Sequence, residues 1–149
     1  MAVACPNMSI VVIVPYYNES KIIEKTLDSI NSQTIKPDSV ILVDSGSTDK
    51  TSEIINEWIN KNNKKIFKNI YSGKMSPSSS INLGIKSSEE KIIAYVDCGL
   101  DVPLNWLETT LNQMNQYNSD MVSIRIFTAG KTIIDKSFIA QTYGFKNNQ

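Results

Sequence analysis

The 149-residue chain contains no histidine and a single arginine, Arg125. Without imidazole, neither a Ser-His-Asp nor a Cys-His nucleophile system can be built. Zinc sites that use imidazole are excluded as well. A metal would have to be held by oxygen, which is magnesium- or manganese-like chemistry. With one guanidinium available, phosphate recognition falls to lysines, backbone N–H groups and metal. The two cysteines, Cys5 and Cys98, are far apart and in no ligand-like spacing, so they read as free thiols in a reducing compartment. The apolar run near the start, Ile10 to Val14, is too short for a secretion signal, and no run approaches a membrane span. A cytoplasmic chain is expected. Lys plus Arg and Asp plus Glu both number 15, so no overall field draws nucleic acid or an anionic membrane. Neither G-x-G-x-x-G nor G-x-x-x-x-G-K-[ST] occurs, which disfavours a dinucleotide oxidoreductase and a P-loop NTPase.

What is present is an ordinary globular balance, 41% hydrophobic and 20% charged, in a length that suits one domain over residues 1–149. Ser9 to Val14 is a continuous apolar, β-branched run stopping at Pro15, which predicts a strand buried on both faces. Ser39 to Val43 and Lys91 to Val96 predict further buried strands, and Ile66 to Tyr71 reads as a strand between them. Helices are predicted over Lys21 to Asn31, where Ile23, Leu27 and Ile30 share a face, and over Lys50 to Asn60. A short helix is expected from Ser79 to Lys86, and one after Pro103, with Trp106 as its core anchor. Ser72 to Ser80 reads as a loop. Asp120 to Phe127 reads as a fifth strand, and Thr132 to Phe145 as a weakly helical tail. Strands alternating with helices imply an α/β fold with a mostly parallel sheet flanked by helices. Flavodoxin-like, Rossmann-like and sugar-transfer domains all fit that architecture.

Three strand-to-helix junctions carry the chemistry. The first is Pro15, Tyr17, Asn18 and Glu19. Tyr17 can stack on a base while Asn18 and Glu19 bond base or ribose; the plain structural alternative has Pro15 ending the strand and Asn18 or Ser20 capping the helix. The second is Asp44, Ser45, Gly46 and Ser47, followed by Asp49. An ionised Asp44 at a buried strand end needs a partner, and a base imide N–H would be one. Gly46 allows close backbone approach. The alternative makes Ser47 and Asp49 a helix cap and Asp44 a turn residue. The third is Asp97, whose carboxylate can hold a divalent cation against a pyrophosphate, or can simply occupy a turn. Asp101 is better read as favouring the next helix's dipole. Lys74 can meet a phosphate, although its Gly- and Ser-rich segment reads first as a surface loop.

Taken in order, Pro-Tyr-Tyr-Asn-Glu, Gln33-Thr34, Val43 to Asp49, Asn82-Leu83-Gly84-Ile85, the strand ending at Asp97, and Pro103 with Trp106-Leu107-Glu108 resemble the N-terminal half of a family 2 glycosyltransferase of GT-A type. The resemblance runs from about Ser9 to Leu111. It implies transfer of a sugar from a nucleoside-diphosphate sugar to a saccharide or lipid-linked acceptor, with a divalent cation, Mg or Mn. It places Pro15, Tyr17 and Glu19 around the nucleoside, Asp44 on the base with Ser45, Gly46 and Ser47 beside it, and Asp97 on ribose and metal. Gly99 stands where a second metal-binding acid is expected, and Ile81 where an arginine often precedes Asn82. The acceptor-binding half and its catalytic acid are expected beyond Gln149. The chain is therefore expected to bind donor with little or no transfer, in assembly of bacterial surface polysaccharide or glycolipid at the cytoplasmic face of the membrane. A weak similarity in Thr132 to Phe145 points to exopolysaccharide-building members. The competing expectation is a non-catalytic interaction module, a homodimer paired through an apolar sheet edge. A flavodoxin-like domain is a third, although it leaves Asp44-Ser-Gly-Ser without a role.

Overall fold

A computed structural model of the chain describes residues 9–100 and 102–123. The uninterrupted Ile/Val run forms β1, Ile10–Tyr16, every residue of which is buried. Residues that never alternate with polar ones can sit only in a strand covered on both faces. The same holds for β2, Ser39–Asp44. Two further strands, β3 at Phe67–Tyr71 and β4 at Ile92–Tyr95, flank them in the order β3-β2-β1-β4, and every pairing is parallel.

β1 continues through Pro15 rather than stopping there. Along β1 the odd residues face β4 and the even ones face β2: Ile13 accepts from Val96 N–H at 3.2 Å and Tyr16 from Ser45 N–H at 2.9 Å. Pro15 thus turns its missing donor toward β4, where the ladder has already ended at the Ile13–Tyr95 pair. The proline costs no ladder bond and the strand runs on by two residues.

Three helices connect the strands, α1 at Ile23–Asn31, α2 at Thr51–Lys61 and α3 at Pro77–Lys86, and α4 at Trp106–Tyr117 follows β4. One sheet face, with Val12, Val14, Val40 and Leu42, packs against Ile23, Leu27 and Ile30 of α1, Ile55 and Trp58 of α2, and Trp106, Leu107 and Leu111 of α4. Trp106 is the expected anchor, 7% exposed. The other face, Val11, Ile13, Ile41 and Val43, meets Leu83 of α3. Trp58 also donates its indole N–H to Asp28 at 2.9 Å and lies against Phe67. Gln33 is fully buried. Its amide donates to the carbonyls of Ser29 (3.1 Å) and Pro103 (2.8 Å) and accepts from Leu107 N–H at 3.1 Å. Thr34 adds a backbone bond to Leu104. The Gln33-Thr34 pair is therefore a tie between the end of α1 and the start of α4.

Three further expectations need correction. β4 is not buried throughout: Ile93 and Tyr95 are each 44% exposed, because α3 packs over β1 and β2 and, among the described residues, β4 is an edge strand. The loop read over Ser72 to Ser80 ends at Ser76, which caps α3 by accepting from Ser79 N–H at 3.2 Å, with Pro77 in the first helical turn. A missing N–H is harmless there. Residues 120–123 are not in a strand; the rest of the expected fifth strand, the 132–145 tail, Cys5, Asp101 and Arg125 lie outside the described residues. By internal contacts the chain divides into two compact units, Met1–Asn112 and Gln113–Gln149. All four strands belong to the first. In the second, α4 closes where Asn118 turns left-handed at φ 47 and Ser119 N–H bonds the Met114 carbonyl at 3.0 Å. Among the described residues no helix is long and apolar enough to cross a membrane.

Candidate functional site

The register brings three strand ends to one edge. Tyr16 lies opposite Asp44, and the chain leaves β4 toward Asp97 beside the end of β1. Helices begin at this edge and cannot fill it, so a cleft opens there, as in open parallel sheets generally. Its volume is about 540 Å³. Pro15, Tyr17, Glu19, Ser45 and Asp97 of the expected set line it, joined by Tyr16, Lys74, Met75, Pro77 and Cys98. Asn18, Asp44, Gly46 and Ser47 are not among its walls; they hold the walls in place.

Asn18 adopts a left-handed backbone, φ 56, which asparagine tolerates better than most residues. Its N–H donates to Ser47 Oγ at 3.0 Å, and its Oδ1 accepts from Thr48 N–H at 2.8 Å and Asp49 N–H at 3.3 Å. Asn18 and Ser47 thus stitch the first two junction loops together. Asp49 accepts from Ser20 N–H at 3.2 Å and from the Thr51 N–H at 3.0 Å and hydroxyl, while Thr51 Oγ1 accepts from Glu19 N–H at 2.8 Å. The Thr51 hydroxyl is the largest of the influences that lower Asp49 from 3.8 to about 2. The native state therefore holds this proton less readily than the unfolded chain. The stabilisation is present above 3.8 and is lost as pH falls toward 2. Urea midpoints measured across that window should fall less steeply for Asp49→Asn than for the natural chain; parallel slopes would refute the assignment. Glu19 is shifted the other way, raised by burial and then by the Asp49 charge, so its contribution is lost as pH rises.

Asp44 is 2% exposed. Its Oδ1 accepts from the N–H groups of Gly46 (3.1 Å) and Ser47 (2.7 Å). The turn role therefore accounts for one carboxylate oxygen. The Tyr16 phenol donates to Asn69 Oδ1 at 2.7 Å. Burial foremost, with the neighbouring Asp44 charge adding to it, pushes that phenol up to about 12. Ser45 Oγ bonds Ser80 Oγ at 2.8 Å, fastening the end of β2 to α3. The Asp44 carbonyl accepts from Ser72 N–H at 3.0 Å and Ser72 Oγ at 2.6 Å, which lays the loop after β3 across the loop after β2. This contact is non-local, and it is why Lys74, Met75 and Pro77 belong to the cleft. The local Gly/Ser composition read first as a surface loop, with Lys74 as a candidate phosphate contact.

Asp97 is exposed to the cleft and accepts from the Tyr95 hydroxyl. Two residues on, Gly99 has φ +89, and a Cβ there would lie 2.6 Å from Ile22 Cδ1. Its N–H donates to Thr26 Oγ1 at 3.0 Å. The Ile22 methyl is the tip of a flexible, 40% exposed side chain and can move aside, so it is the left-handed backbone that favours glycine over an acid here. Burial pushes the Cys98 thiol up to about 11, so it stays protonated and unreactive at neutral pH. Among the described residues no three His, Cys, Asp or Glu side chains cluster as a metal site. Among the described residues, Asp97 would offer a divalent ion a single carboxylate, and Mg²⁺-type ions are commonly held by one or two carboxylates together with substrate phosphates and water.

Known proteins resemble the chain in sequence and fold. The chain is 30% identical to the glycosyltransferase GlyA of Streptococcus pneumoniae over 112 residues, 75% of this chain and 16% of that protein. It is 26% identical to the poly(ribitol-phosphate) β-N-acetylglucosaminyltransferase TarS of Staphylococcus aureus over 137 residues, 91% of this chain and 24% of TarS. The structure of S. aureus TarS 1–349 with UDP-GlcNAc matches with a TM-score of 0.65 at 29% identity, covering 76% of this chain and 33% of that one. The mannosyltransferase PcManGT of Pyrobaculum calidifontis, in complex with GDP-Man and Mn²⁺, matches with a TM-score of 0.66 at 25% identity, covering 70% of this chain and 32% of that one. The chain thus spans well under half the length of each of these relatives. The sequence pattern of the family described as glycosyl transferase family 2 extends over residues 11–142, most of the sequence, and the chain belongs to that family.

Proposed function

We propose that the cleft binds the nucleoside diphosphate of a sugar donor, and that the chain is the donor-binding part of a glycosyltransferase that builds bacterial surface polysaccharide or glycolipid at the cytoplasmic face of the membrane. The observation that carries this reading is the meeting of Tyr17, Glu19, Ser45 and Asp97 from three junctions around one cleft. PcManGT holding GDP-Man with Mn²⁺ and TarS holding UDP-GlcNAc support it. Tyr17, 51% exposed at the cleft, offers a ring face for the base. Asp44 and the loop it braces position the base edge, with Ser45, Gly46 and Ser47 beside it. Pro15, Asn18 and Glu19 shape the nucleoside side. Asp97 addresses ribose and the cation, and a bound divalent ion would supply charge neutralisation of the leaving diphosphate. Gly99 leaves that cation with one protein carboxylate.

Titration calorimetry with UDP, GDP and dTDP, with and without Mn²⁺, tests the reading. At least one nucleotide should bind, and Tyr17→Ala should weaken it by about 5- to 150-fold, the equivalent of about 1–3 kcal/mol of base–aromatic stacking. An absence of heat with all three would end the proposal.

A further inference from the structure

The charged groups lining the cleft are Glu19, Asp97 and Lys74. Two are acids, and each would repel a diphosphate. A divalent ion held by Asp97 offsets this only in part, because Gly99, at φ +89, holds a backbone conformation that disfavours an acid there. Lys74 is the fixed positive charge among these lining residues.

Its position is built rather than incidental. The loop that carries it is anchored on one side by Ser72, bonded through both N–H and hydroxyl to the Asp44 carbonyl. On the other side Ser76 caps α3. Between these anchors the Lys74 backbone rests on Gly46, where an added Cβ would lie 3.0 Å from both Lys74 Cα and Lys74 N. A three-residue span with both ends tied and its middle pressed on the Asp44 loop holds the base of the side chain at the cleft, while the side chain itself is exposed. The ammonium keeps its reach and pays little for burial.

We infer that Lys74 is the diphosphate-binding cation of this chain, and that nucleoside diphosphate binding therefore persists without a divalent ion. This rests on the donor-binding reading above and assigns the group that makes it work. A lysine ammonium meets phosphate as a compact point charge with three donors, and it needs no coordination geometry from Gly99.

The test is calorimetry with UDP and GDP, and with uridine and guanosine as phosphate-free probes, each in EDTA and in Mn²⁺. Wild-type chain should bind its preferred nucleoside diphosphate in EDTA. Lys74→Ala should weaken that binding by about tenfold or more in both buffers, the scale of a charge-assisted bond. Affinity for the matching nucleoside should be unchanged, and Lys74→Arg should restore most of the loss. Diphosphate affinity within about twofold of wild type in Lys74→Ala would overturn the inference. So would an equal loss for nucleoside and diphosphate, which would mean a collapsed loop rather than a missing charge. Wild-type binding abolished by EDTA would overturn the metal-independent part. Binding of no nucleotide in either buffer would instead bring down the donor-binding reading itself.

Discussion

Gly46→Ala should lower the unfolding free energy by about 2–5 kcal/mol and weaken nucleotide binding, whereas Gly73→Ala should cost only about 1–2 kcal/mol. Both glycines hold positive φ, +91 and +71. An L side chain forced into the left-handed region costs about 1–2 kcal/mol at either site. They differ in what surrounds them. A Cβ at Gly73 meets nothing within 4 Å, while one at Gly46 meets the backbone of Lys74 at 3.0 Å and of Gly73 at 3.2 Å. Backbone atoms cannot rotate away as a side-chain tip can. The Lys74 backbone must give by a few tenths of an ångström, adding an overpacking term of about 1–3 kcal/mol and shifting the cleft wall. Urea denaturation of the two variants beside nucleotide calorimetry checks this. Equal destabilisation would show that the loops are not in contact as described.

The second result concerns the sheet face beneath α3. Ile13 is fully buried, and Gly84 of α3 sits so close that a Cβ there would lie 2.6 Å from Ile13 Cγ2. Ile13→Ala should cost about 2–5 kcal/mol through lost burial and the cavity left behind. Gly84→Ala gains about 1 kcal/mol of helix propensity but overpacks by about 1–3 kcal/mol. In the double variant the new methyl enters the space vacated by Ile13. The cost of the double variant should therefore fall short of the sum of the two single costs by about 1 kcal/mol or more, as for coupled neighbours. Strict additivity would mean that α3 does not rest on β1 at this point.

Gly84 shows how far the sequence could be read. Asn82-Leu83-Gly84-Ile85 stood out as part of a family resemblance, with no physical role for its glycine. The role is a close approach of helix to strand, set by residues 71 positions apart in the chain. β1 and β2 were legible because a run of β-branched residues without polar alternation has one stable home, the middle of a sheet covered on both faces. α1 was legible because Ile23, Leu27 and Ile30 mark one helical face. Edge position was not, since a short apolar run reads alike in a central and a peripheral strand. The full burial expected for β4 therefore gave way to half-burial at Ile93 and Tyr95. The reach of β1 past Pro15 was hidden for a related reason: whether a missing N–H matters depends on which neighbour it faces.

The residue order alone established the α/β class, the junctions at Tyr17, Asp44 and Asp97, and the lack of any imidazole or clustered-thiol chemistry. Those features follow from local periodicity and from which functional groups the chain possesses. Folding settled the division of labour among the junction residues. Asn18 and Ser47 became ties between loops, Asp44 a brace for its own turn, and Lys74 a wall of the cleft. Each of these roles is a hydrogen bond or a packing contact between distant segments, and a polar side chain's partner is set by what the fold brings within about 3 Å of it.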